Sequence, residues 1–243
     1  MAHAKEEKIP GGVGKLFVRS WRPDAAPRAV VAICPGFNAH SGYFAWAADQ
    51  FVARGFSVYA VDLRGRGQSD GERFYVEEIG QYVSDLDALI HLAKSREPGL
   101  PVYLLGHSAG GVTACTYALD HKAEIAGLIC ESFAFQVPAP DFALSVLKGL
   151  SHVAPHAHAL ALNNEHFSRD PAAVKAMNDD PLIAKESQPL KTMAALVHAD
   201  ERLKKEFPLI TLPLLILHGT AEDRKSTRLN SSHIQKSRMP SSA

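Results

Sequence analysis

Four short runs, Val30–Cys34, Ser57–Val61, Val102–Leu105 and Leu128–Cys130, are nearly continuous in apolar residues, and helix-period segments separate them. A strand that is apolar on both faces must be covered on both sides, which is the situation inside a parallel sheet. Between the first two runs Phe44, Ala47, Phe51 and Val52 mark one helix face, and Gly55 is placed to end that helix. Val76, Ile79, Val83, Leu86, Ile90 and Ala93 recur at spacings of three and four and predict a longer helix. Strand, helix, strand repetition with right-handed crossovers is an α/β fold, a mainly parallel sheet flanked by helices.

The alternation stops after Glu131 and resumes only at Leu214–Leu217. Nothing in Phe133–Lys205 reads as a strand, and Pro138, Pro140, Pro155, Pro171, Pro181 and Pro189 break its helical composition. The expected organisation is a core over residues 1–132, a helical lid insertion over 133–205, a core strand with an acid loop over 206–222, and a non-native tail over 223–243. A lid there would lie over the carboxyl ends of the strands, where open α/β sheets bind ligands.

Charge removes several function classes. Lys plus Arg and Asp plus Glu number 26 each, so no global field favours nucleic acid. The balance is uneven, because residues 223–243 carry a net of +4 and residues 1–222 a net of −4. No apolar run approaches the ~18 residues that span a bilayer. The opening MAHAKEEKIP is charged where a secretory signal would be apolar. Cys34, Cys115 and Cys130 lie far apart without a CxxC, which predicts free buried thiols and a cytoplasmic protein. No protein partner is implied.

The chemistry concentrates in Val102–Gly111, VYLLGHSAGG, where an apolar strand runs through Gly106-His107-Ser108-Ala109-Gly110 into a helical stretch. A G-x-S-x-G between strand and helix is a nucleophile elbow: Gly106 and Gly110 permit a sharp turn that holds Ser108 in a strained conformation. The serine oxygen then stands at the head of a helix, whose dipole and free N–H groups favour developing negative charge. His107 is expected to be a packed, hydrogen-bonded neighbour, since the residue before an elbow serine points away from the reacting carbonyl.

Two further motifs precede the elbow: Cys34-Pro35-Gly36-Phe37-Asn38-Ala39-His40-Ser41-Gly42-Tyr43 and Asp62-Leu63-Arg64-Gly65-Arg66-Gly67-Gln68-Ser69-Asp70-Gly71. The three in this order resemble the α/β-hydrolase family, in its branch of monoacylglycerol lipases, lysophospholipases and serine aminopeptidase-like hydrolases. Members usually have His-Gly where this chain has Pro35-Gly36, which changes a side chain beside the oxyanion site and leaves the backbone donor. The resemblance implies an oxyanion hole formed by the N–H groups of Phe37 and Ala109, with Asp62, Arg64 and Asp70 in a structural role. It implies no metal and no organic cofactor. His152 and His156 have the spacing of a helical metal pair, but Pro155 interrupts it, so solvent-facing histidines are expected.

In this fold an acid and a histidine follow the serine. The family pattern H-G-x-x-D, matched to His218-Gly219-Thr220-Ala221, places the acid at position 222, so it is Glu222 or the adjacent Asp223. A helix, a strand and their connections before the histidine need roughly 25 residues, and 21 follow Glu222. The one later histidine, His233, stands in a serine-rich stretch. Asp223–His233 and Arg238–Ala243 resemble a translated sequencing adapter, with Glu222 arising from an Asp codon at the junction. The expectation is that the final helix-strand-helix and its histidine are missing, and that ester turnover by the chain as written is near background.

The apolar lid residues Phe133, Phe135, Phe142, Leu144, Val146, Leu147 and Leu150 suit a fatty acyl chain or transient contact with a membrane surface. The resemblance thus implies a serine hydrolase of carboxylic esters, of monoacylglycerol lipase or lysophospholipase type, acting on a small acyl ester or lipid. One alternative is a prolyl aminopeptidase-type peptidase, which needs an acidic cluster that Asp141, Glu165, Asp170, Asp179 and Asp180 do not evidently form. Another is a binding protein that keeps the fold without turnover.

Overall fold

The computed structural model describes residues 3–135 and 139–218. Seven strands form the central sheet: β1 (Lys5–Pro10), β2 (Lys15–Trp21), β3 (Ala29–Cys34), β4 (Phe56–Val61), β5 (Val102–His107), β6 (Gly127–Glu131) and β9 (Leu214–Leu217). Their order is β1-β2-β4-β3-β5-β6-β9. The first three neighbours pair antiparallel, and every pair from β4 to β9 is parallel. The expected mainly parallel sheet is therefore present, and β3 to β6 each extend the predicted run by one or two residues.

Period-two alternation sends the strand side chains to two cores. Val31, Ile33, Val58, Ala60 and Leu105 pack with Ala48 of α1 (Ala45–Val52) on one face. Val30, Ala32, Cys34, Val61, Leu104 and Leu128 face the other way, onto α2 (Ile79–Arg96), α3 (Ala109–Asp120) and α6 (Leu190–Glu206). The predicted stripe of α2 is buried throughout, and Val76, just ahead of the helix, is buried with it. Gly55 follows α1 at φ +81°, a conformation that favours glycine.

The lid range contains α4 (Asp141–Val153) and α5 (Pro171–Asp179), and α6 packs into the main core through Met193, Ala195, Leu196, Ala199 and Leu203. The expectation of no strand there is corrected by a two-stranded antiparallel ribbon, β7 (His158–Ala161) with β8 (Ser187–Pro189). Its sequences, HALA and SQP, carry no strand-like apolar period, so the pairing comes from tertiary context. No described helix is long and apolar enough to cross a membrane.

Candidate active site

β5 ends at His107 and α3 begins at Ala109, so Ser108 alone makes the turn, at φ +52° and ψ −121°. A non-glycine residue in that region is strained and persists only where its surroundings fix it. Here the Ser108 N–H donates to Glu131 O (3.0 Å), and Ser108 O accepts from Gly111 N (2.9 Å) and Ala134 N (3.2 Å). The glycines explain why the chain can close so tightly. A Cβ on Gly106 would stand 2.6 Å from Gly110 O, and one on Gly110 would stand 2.2 Å from Cys34 O. Ser108 is half-buried, and its Oγ makes no hydrogen bond among the described residues.

The loop after β3 lies directly against this turn. A Cβ on Gly36 would meet Ser108 Cβ at 2.9 Å and Ala109 N at 3.2 Å, so only glycine allows the approach. The backbone of Phe37 is thereby brought beside the head of α3, where Ala109 supplies the second implied donor. Phe37 and Ala109 also line a common small cavity of about 10 Å³, with Gly36, Arg66 and Thr113 around it. That is close to the room one water needs.

The charged residues of the second motif hold loops together. Asp62 accepts from Ser41 N (2.7 Å) and Gln68 N (2.9 Å), and Asp70 accepts from Lys15 N (2.9 Å). Arg64 makes a buried ion pair with Asp85 (2.6 Å). Arg66 is buried as well. It donates to Tyr82 Oη (2.8 Å) and Gln188 Oε1 (2.7 Å), pairs with Glu186, and lies 4.3 Å from the centre of the Phe37 ring. His107 faces Glu131 at 3.3 Å and meets Phe44 edge-on.

Of the two histidines at metal-pair spacing, His156 bonds Glu72 (2.6 Å) and stacks on Tyr75, and no group of three metal-ligating side chains occurs among the described residues. The carboxylates of residues 133–205 are dispersed: Asp170 caps α5, Asp179 pairs with Lys175, and Asp180 bonds His40 and Tyr43. Cys34, Cys115 and Cys130 are free and buried, and burial pushes the Cys34 thiol well above its ordinary range. Glu222, Asp223 and His233 lie outside the described residues, as does the whole of 223–243. Sequence reasoning missed Asn38, His40, Tyr43 and Arg66, whose partners stand more than a hundred residues away.

Residues 25–236 match the family described as serine aminopeptidase, S33. The chain belongs to this family. Among curated relatives, a monoacylglycerol lipase of Mycolicibacterium smegmatis is 32% identical over 225 residues, covering 90% of this chain and 80% of that protein. Human monoglyceride lipase is 32% identical over 210 residues, covering 85% and 69% respectively. The crystal structure of the Paleococcus ferrophilus monoacylglycerol lipase superposes with a TM-score of 0.74 at 30% identity, over 85% of this chain and 78% of that one. The fold is the α/β-hydrolase fold.

Proposed function

We propose that the chain is a serine ester hydrolase of monoacylglycerol lipase type, with Ser108 as nucleophile. The observation that carries this is the strained Ser108 at the head of α3 with the Phe37 loop pressed onto it through Gly36. The relatives at 32% identity support the substrate class. Ser108 Oγ forms a bond to the ester carbonyl carbon, and the Phe37 and Ala109 N–H groups donate to the resulting oxyanion. The bond to the alcohol oxygen then breaks, and the serine proton passes by way of a base to that oxygen. Water releases the fatty acid by the same route. The acid that orients the base is Glu222 or Asp223, and Gly106, Gly110 and His107 shape the turn.

A small lipid substrate suits the lid's surface. On α4, Phe142, Val146, Leu150 and Val153 follow each other at spacings of four, four and three, and all are exposed, Val153 at 84%. Leu144 and Leu147 on the opposite side pack inward. A helix with one packed face and one apolar exposed face is built to rest on a lipid surface. The test compares monoacylglycerol hydrolysis by this chain and its Ser108→Ala variant. Ser108-dependent turnover would place a working base in the chain and overturn the near-background rate expected of it as written. Equal rates from two folded proteins would refute the reading for this polypeptide and favour a scaffold without turnover.

A further inference from the structure

The loop that carries the Phe37 donor is held from outside itself. Asn38 stands at φ +50°, and its buried Oδ1 has no hydrogen-bond partner among the described residues. A strained backbone with an unsatisfied acceptor is kept only where neighbours over-determine it. Those neighbours belong to the lid. Asn38 Nδ2 donates to Leu162 O (3.3 Å) and Asn164 Oδ1 (2.8 Å), and Asn164 is itself oriented by donating to Asn178 Oδ1 (2.9 Å). His40 Nδ1 accepts from Gly42 N (3.1 Å), so the ring proton is on Nε2 and is donated to Asp180 Oδ2 (2.8 Å). Tyr43 Oη donates to the same oxygen at 2.8 Å. Under Phe37, the guanidinium of Arg66 is fixed by Glu186 and Gln188 at β8.

We propose that the lid, through Asp180 and Glu186, positions the oxyanion donor of Phe37. This rests on the hydrolase reading of Ser108. Neither carboxylate touches the reacting atoms, so both are positioning residues. It follows that displacing the lid and dismantling the oxyanion hole are one event, and that an ester reacts only once the lid has settled over it.

The experiment uses the full chain and the variants Asp180→Ala, Asp180→Asn and Glu186→Gln. Hydrogen exchange is read over residues 36–43, and ester hydrolysis is normalised to sites titrated with a phosphonate. Asp180→Ala is expected to raise exchange in the loop by about tenfold or more. It should lower kcat about 10- to 100-fold, with KM held within about threefold. Asp180→Asn keeps an acceptor oxygen for His40 and Tyr43 but sets its NH2 against the Leu182 N–H, and should recover part of both effects. Loop exchange unchanged by Asp180→Ala would overturn the proposal, as would a loss confined to KM or a lowered thermal midpoint with kcat per site intact. If Glu186→Gln does not fold, the Asp180 series decides alone. Exchange reports on the loop without any turnover, so failure of the hydrolase reading shows in the Ser108→Ala comparison and failure of this inference shows in the exchange.

Discussion

Gly110→Ala places a methyl group where α3, the elbow and the oxyanion loop converge. The added Cβ would stand 2.2 Å from Cys34 O, 2.4 Å from Pro35 O and 2.8 Å from Pro35 C, all backbone atoms without a rotamer to escape into. Restoring ordinary contact requires a retreat of about 1 Å by the stem of the loop that carries Phe37. A misplacement of that size costs about 10²-fold in rate, and loss of one oxyanion donor costs about 10²- to 10³-fold. Overpacking should also lower stability by about 1–3 kcal/mol. Ester hydrolysis and the rate of Ser108 phosphonylation, each per folded molecule, are the assays, with urea unfolding alongside. Gly149→Ala is the control: nothing lies within 4 Å of its Cβ, and its place inside α4 makes alanine the better helix former. If Gly110→Ala keeps its rate within about twofold of the parent while Gly149→Ala does the same, the assignment of the Phe37 loop to the oxyanion hole fails.

Asp180 links lid stability to pH. Burial raises its pKa, but hydrogen bonds from His40, the Leu182 N–H and Tyr43 outweigh burial and hold it below the ordinary carboxylate range. A lowered folded pKa gives stability that is present above the unfolded value of about 3.9 and lost as pH falls through the folded one. The difference in thermal midpoint between the parent and Asp180→Asn should therefore be full near neutrality and vanish in acid, and a difference that grows in acid would contradict the assignment. Arg66→Met leaves Glu186 buried without its partner and should cost about 3–5 kcal/mol in urea unfolding, most of it recovered in Arg66→Met/Glu186→Leu. Replacing Phe142 and Val146 together by serine should weaken binding to phospholipid vesicles about tenfold without changing hydrolysis of a water-soluble ester.

The parts of the fold that were legible in the sequence are those whose cause is local. β3 to β6 announce themselves because burial on both faces demands continuous apolar residues, β9 because its four residues are all apolar although Leu215 and Leu217 are exposed among the described residues, and α2 because its stripe keeps a helical period. The elbow is local too, since two glycines and a serine determine the turn. β1 was silent because, apart from Ile9, its side chains are polar or at the surface, and β7 and β8 because three or four residues carry no period. Within the site, Ser108 and the glycines were readable while the lid contacts were not. Asn38 and Asn164 are separated by 126 positions, His40 and Asp180 by 140, and Arg66 and Glu186 by 120. Asp180, one of the carboxylates that form no evident cluster in the sequence, faces His40 and Tyr43, a contact that only the tertiary fold creates.

Mass spectrometry of the chain after long incubation with a fluorophosphonate tests the nucleophile most directly. One phosphonyl adduct is expected, on the peptide containing Ser108, absent from Ser108→Ala and formed about 10²-fold more slowly in Gly110→Ala. No adduct on the folded chain, or an adduct on a different serine that survives Ser108→Ala, would contradict the role given to the elbow.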